Sequence, residues 1–153
     1  MPAPRPDLGV VGASAGRLGG RETRPGAGPL FEDFALRVAP GEHLALVGAS
    51  GSGKTTLMHT VLKVLNTTGR KISTIEDPIE VLHQDKTAMI NQREVRIDTE
   101  NFAVALRAAM RQDPDVVLVG EMRDSETVGA ALSASETGHF VMSTLHTTDA
   151  AET

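Results

Sequence analysis

The sequence predicts an α/β fold in which a mostly parallel sheet is flanked by helices. Three observations carry this: short β-rich runs alternate with helical patterns, a glycine-rich loop sits between an apolar run and a helical one, and apolar residues recur at helical spacing between the β runs.

Residues 1–29 hold seven Gly and five Pro, a composition that buries too little apolar surface to offset the entropy of ordering, so a flexible tail is expected there. Residues 30–153 are then one core, since 153 residues suit a single compact domain better than a pair. Its opening, FEDFALRV, alternates like a strand. PGE at 40–42 reads as a turn leading into HLALVG, an apolar run expected to be a buried strand.

After the glycine-rich loop come KISTIE, DVVLVGE at 115–121 and HFVMSTLH at 139–146, each expected as a strand. Phe102, Ala105, Leu106 and Ala109 share one helical face, as do Val128, Ala131, Leu132 and Ser135, the second helix being N-capped by Asp124 and stopped at Gly138. The stretch from Val81 to Arg96 has no clear period and is expected to be a connection with one short strand at AMINQ. No internal repeat is present.

Net charge is −5, the wrong sign for tracking a phosphate backbone, and the sequence has no Trp or Tyr to stack on bases, so nucleic acid is excluded as an expected partner. No apolar run is long enough to cross a bilayer, the first residues lack the apolar centre of a secretory signal, and cysteine is absent; a cytoplasmic location is expected.

GASGSGKT spans Gly48 to Thr55, after an expected strand and at the start of an expected helix, which is the context a phosphate loop requires. Gly48, Ala49, Ser50, Gly51, Ser52 and Gly53 would turn backbone N–H groups toward the phosphates of ATP. Lys54 would bridge β- and γ-phosphate oxygens, and Thr55 would place its hydroxyl on Mg²⁺, with Thr56 a secondary candidate. The plain alternative is a Gly/Ser-rich turn that binds nothing.

Glu121 ends an apolar strand, where a carboxylate beside the phosphate loop needs a cation; Mg²⁺ through water is the expected partner, and Asp115 at the strand's start is expected at the surface. Glu76, Asp77 and Glu80 surround Pro78 after another β run, so three carboxylates converge on one sheet edge, where one could deprotonate the attacking water. An acidic turn without catalytic use is equally consistent with that pattern. His139 and His146 lack metal-ligand spacing, while His146, beside Thr144, Thr147 and Thr148, could hydrogen-bond a γ-phosphate. His43, His59 and His83 read as surface or packing residues.

TIEDPIE, INQREV, ALRAAMRQDPDVVLVGEMRD and ETGHFVMSTLHTTDA, in that order and together with the phosphate loop, resemble the type II/IV secretion ATPase superfamily, most of all the pilus retraction ATPases. The resemblance implies a RecA-like P-loop core acting in a hexameric ring, with ATP turnover driving type IV pilus disassembly and twitching motility. It also implies an inner-membrane platform protein as partner, hence a location peripheral to that membrane. TIEDPIE is similar to the family's Asp box, with Glu80 as general base; VVLVGE to its Walker B strand, ending at Glu121; and GHFVMSTLHTTDA to its His box, containing His139 and His146. Arg107, Arg111 and EMRD are similar to positions expected to support subunit contacts.

The sequence departs from the family in three ways. Residues 1–40 show nothing like the PAS-like domain that contributes arginines to a neighbour's ATP. Residues 30–57 resemble instead the opening of an ABC transporter ATPase, and KTTL has one hydroxyl residue fewer after the lysine than the family usually shows, so 58–153 is the retraction-ATPase-like part. The family also continues with further helices past the His box, which makes a truncated or fused core the expectation. An ABC-type subunit is the runner-up, but no LSGGQ-like signature occurs. A nucleotide-binding fragment without turnover is the third reading.

Overall fold

The computed structural model describes residues 52–145 without a gap, together with 11–12, 35–36, 38, 42 and 44–45. Two short strands, β1 (Val11–Gly12) and β2 (Ala35–Leu36), pair antiparallel with Val11 opposite Leu36. From residue 54 the chain runs α1 (Lys54–Leu65), β3 (Lys71–Glu76), β4 (Met89–Glu94), α2 (Phe102–Met110), β5 (Val116–Met122), α3 (Ser125–Glu136) and β6 (Phe140–Leu145). The strands form one sheet in the order β4-β3-β5-β6, with every pair parallel. Parallel pairing of consecutive strands requires crossovers, and α2 and α3 supply them for β5 and β6.

Side chains alternate across the sheet and build two cores. Val116 and Leu118 of β5 pack with Leu57, Val61, Leu62 and Leu65 of α1, while Val117 and Val119 pack with Ala105, Leu106 and Ala109 of α2 and Ala131 of α3. The continuous apolar run VVLV is thus the mark of a strand buried on both faces. The expected strands at KISTIE, DVVLVGE and HFVMSTLH all form, and the segment without a period contributes the six-residue β4.

Two expectations need correction. Leu44 and Ala45 of HLALVG are exposed and lie in no strand, Leu44 at 49%. Among the described residues no strand pairs with them, and without a ladder partner an apolar run has no sheet face on which to be buried. The α3 face is rotated by about one residue from that expected: Thr127, Ala131 and Ala134 are buried, whereas Leu132 is 50% exposed. Small side chains at 127, 131 and 134 let α3 approach α2 and the sheet closely, and that outweighs the larger apolar area of Leu132.

Asp124 N-caps α3 as expected, its carboxylate accepting from the backbone N–H and hydroxyl of Thr127, each at 2.8 Å. Gly138 follows the helix at φ 90°, a conformation that favours glycine. The Thr127 N–H and then the Thr127 hydroxyl hold the Asp124 carboxyl below its ordinary 3.8. A folded-state pKa that is depressed gives stability present above the unfolded value and lost as pH falls through the folded one. Asp124→Ala should therefore cost about 0.5–2 kcal/mol near neutrality, toward the lower end because solvent screens the exposed group. In urea unfolding, the difference between the two proteins should narrow as pH falls below 3.8.

Candidate functional site

The connection leaving β3 leads to β4 on one side, while α3 carries the chain from β5 to β6 on the other. The C-terminal ends of β3 and β5 therefore flank a topological switch point, the place where open α/β sheets form ligand crevices. A cleft of about 170 Å³ opens there. Thr55, Glu80 and Glu121, three residues singled out from sequence, line it together with Glu76 and Asp77.

Helix α1 brings its N-terminus to this cleft. Gly53 precedes it at φ 91°, in the left-handed region, and no side chain caps the helix. The first turn holds no acidic residue and starts with Lys54, so the helix end offers backbone N–H groups and a cation where its dipole favours an anion. Lys54 Nζ lies 3.5 Å from Ser52 Oγ. Thr55 lines the cleft, whereas Thr56 is exposed and its carbonyl accepts from Thr60 Oγ1 at 2.8 Å. Gly48, Ala49, Ser50, Gly51 and His146 lie outside the described residues.

The carboxylates differ in their surroundings. Glu76 is 3% exposed and accepts from Thr74 Oγ1 at 2.6 Å and Gln92 Nε2 at 3.2 Å. Asp77 lies 3.4 Å from Arg96, and Glu121 pairs with Arg123 at 2.7 Å. Glu80 has no hydrogen-bond or ion-pair partner among the described residues. The cation beside Glu121 is thus Arg123, from the EMRD segment, two residues along and still at the strand end. At Gly120 the strands approach closely: a Cβ there would stand 3.3 Å from the Ile75 carbonyl and 3.4 Å from Glu76 Cα. The Gly120 carbonyl accepts from Thr144 Oγ1 at 2.7 Å, which ties β6 to the cleft wall.

Oxygen ligands are what Mg²⁺ takes, and it needs only one or two from protein because it keeps several waters. The Thr55 hydroxyl and the Glu121 carboxylate, both lining the cleft, fit that demand. Among the described residues no group of three His, Asp or Glu could enclose a metal ion by itself.

Other residues stand away from the cleft. His139 accepts or donates at the end of α3, with Nδ1 2.9 Å from the Ala134 carbonyl and 3.0 Å from Thr137 Oγ1. Arg107 pairs with Glu126 at 2.8 Å, Arg111 is exposed, and Asp115 is a surface group whose Oδ2 accepts from Lys71 N at 2.8 Å. His59, in contrast, is buried and lines the cleft. Its sequence signal is its place four residues after Thr55, on the same face of α1.

A parallel α/β sheet, a phosphate-loop helix and acidic strand ends meeting at the switch point define the P-loop nucleotide-binding class of protein. Residues 33–153 match the model of the type II/IV secretion system protein family, and the chain belongs to that family. The match takes in residues 33–57, the stretch for which an ABC-like opening is expected from sequence.

Among relatives, the type IV pilus retraction ATPase PilT of Pseudomonas aeruginosa is 44% identical over 162 residues, covering 94% of this chain and 47% of that protein. A twitching motility protein of Neisseria gonorrhoeae is 53% identical over 116 residues, 75% of this chain and 31% of the relative. A crystal structure of the pilus retraction motor PilT with bound ADP superposes with a TM-score of 0.63 at 56% identity, covering 65% of this chain and 29% of that one. The Legionella pneumophila ATPase DotB gives 0.62 at 43% identity, covering 69% and 30%. The chain therefore spans less than half the length of these relatives.

Proposed function

We propose that the chain is the nucleotide-hydrolysing core of a pilus retraction or secretion motor, splitting ATP to ADP and phosphate with Mg²⁺. The observation that carries this reading is the placement of Glu80, a carboxylate without a protein partner among the described residues, in one cleft with Thr55 and Glu121. The names of the relatives, a retraction ATPase and a twitching motility protein, and the ADP bound to one of them support the choice of nucleotide and of motor.

In this reading Gly48 to Gly53 wrap the phosphates with backbone N–H groups, and Lys54 bridges the β and γ groups. Thr55 and Glu121 offer oxygens to Mg²⁺, which when bound offsets charge on the phosphate oxygens. Glu80 accepts a proton from the water that attacks the γ-phosphorus as the bond from phosphorus to the ADP oxygen breaks. His146 hydrogen-bonds the γ-phosphate in its neutral form. Arg123, exposed on its outer side, holds Glu121 in place between metal-binding events.

The whole motor would be a hexameric ring in the cytoplasm, attached to an inner-membrane platform protein. Among the described residues no helix is long and apolar enough to cross a membrane. Steady-state phosphate release with saturating Mg·ATP tests the reading, with mass photometry on the same samples reporting ring formation. Release should depend on the metal and rise with assembly; assembled rings that release no phosphate above the solvent background would overturn it.

A further inference from the structure

The segment that carries Asp77 and Glu80, residues 77–88 between β3 and β4, has no regular structure, yet side chains from two elements, α1 and β4, grip it. Asn66 at the end of α1 donates to the Gln84 carbonyl at 2.8 Å and accepts from Lys86 N at 3.1 Å. Gln92 of β4 donates to the Val81 carbonyl at 2.9 Å and accepts from His83 N at 2.7 Å, and Glu94 accepts from Ile79 N at 3.0 Å. The remaining grip is His59 of α1, whose Nδ1 lies 3.1 Å from His83 Nε2, the rings being stacked with centroids 5.4 Å apart. The other nitrogen of His59 faces Glu76 at 3.9 Å.

We propose that His59 and His83 are positioning residues: their hydrogen bond locks the segment bearing Glu80 onto the phosphate-loop helix, setting the distance between Glu80 and Thr55. This rests on the hydrolysis reading for its consequence but not for its existence. Thr55, Met58 and His59 share the cleft-facing side of α1, so the helix that offers its N-terminus to the cleft also carries the side chain that holds the segment bearing Asp77 and Glu80. Catalytic geometry is sensitive to such spacing, because a displacement of about 1 Å can cost on the order of a hundredfold in rate.

The hydrogen bond needs one protonated and one bare ring nitrogen, so at least one of the two histidines must be neutral. The groups facing His83 are His59 and Lys63 from α1 and Glu76 from β3, with the uncharged Gln92 from β4. Burial, then His59, then Lys63 lower the His83 pKa below 6.5, against an opposing pull from Glu76. The folded-state value being depressed, the lock is complete above 6.5 and loosens as pH falls below it.

Hydrogen exchange on the full chain, as wild type, His59→Phe and His59→Gln, tests the lock. Phe keeps the ring and loses the hydrogen bond; Gln keeps a donor and acceptor but does not titrate. In His59→Phe the His83 amide should lose protection by about tenfold while amides of β3 and β5 change less than about twofold, and Gln should restore it. The protection factor at His83 should fall with acid in wild type, and less steeply in His59→Gln, where His83 still titrates but no longer faces a second imidazole that can charge. Under the hydrolysis reading, kcat of His59→Phe should fall by about tenfold with KM within about twofold, and Gln should recover it. Unchanged protection at His83, or loss shared equally by β3 and β5, overturns the lock, and an unlocked variant with wild-type kcat overturns its positioning role. A wild type that locks but releases no phosphate counts against the hydrolysis reading and leaves the lock decided by exchange.

Discussion

Replacing Lys54 with Ala should abolish stabilisation by Mg·ATP while leaving the unliganded fold as stable as wild type. The first half follows from linkage: a ligand that binds only the folded state at about 100 times its Kd adds about 2.7 kcal/mol. Lys54 is proposed as the cation between the β and γ groups, and without it the open helix end and the loop N–H groups meet the triphosphate charge alone. The second half follows from position. Lys54 is the first residue of α1, partly exposed, at the end where the helix dipole disfavours a cation, and Ala has the highest helix propensity. Propensity and dipole should thus offset the loss of the contact with Ser52, and the apo melting temperature separates a lost ligand shift from misfolding. Thermal unfolding with and without saturating nucleotide measures both quantities. A Lys54→Ala protein still stabilised by the full amount would show that this helix end is not where the phosphates sit.

How far the sequence alone reveals this arrangement depends on where the restraints on each segment come from. β5 is legible because a central parallel strand is apolar on both faces and VVLV carries that mark, while β3 and β6 are legible through the β-branched and aromatic residues of KISTIE and FVM. Asp124 and Gly138 are legible because capping is local chemistry, decided within three residues of the helix end. The Glu80 segment is not legible, since what holds it comes from Asn66, His59, Gln92 and Glu94, each distant in sequence and each on another element. Periodicity cannot report such restraints. His59 reads as a packing residue for the same reason, as its partners His83 and Glu76 are 24 and 17 positions away. Leu132 misleads because area per residue favours burying it, while helix approach favours the small residues beside it. The convergence of Thr55, Glu80 and Glu121 was legible through topology, because a phosphate loop and parallel strand ends share one edge of the sheet.

Glu80→Gln should retain nucleotide-induced stabilisation and lose turnover by about 10²–10⁴-fold, the usual worth of a positioned general base. Four carboxylates line the cleft, and their partners separate them. Glu76 is enclosed and accepts from Thr74 and Gln92, so a water would have to displace an existing donor to reach it. Asp77 is beside Arg96, and Glu121 is paired with Arg123. Glu80 is exposed and unpaired among the described residues, so its lone pairs are open to a water in the cleft. Gln matches its size and keeps an acceptor oxygen but cannot take a proton at neutral pH, which separates holding the water from deprotonating it. Glu76→Gln should behave differently: it turns two hydrogen bonds to a carboxylate oxygen into weaker ones to an amide oxygen and replaces the Oε2 that faces His59, so it should lower stability first and turnover only in consequence. Single-turnover phosphate release at saturating ATP, set beside the nucleotide shift in melting temperature, distinguishes the two. Wild-type turnover in Glu80→Gln would move the proton acceptor to another group in the cleft and remove Glu80 from the mechanism.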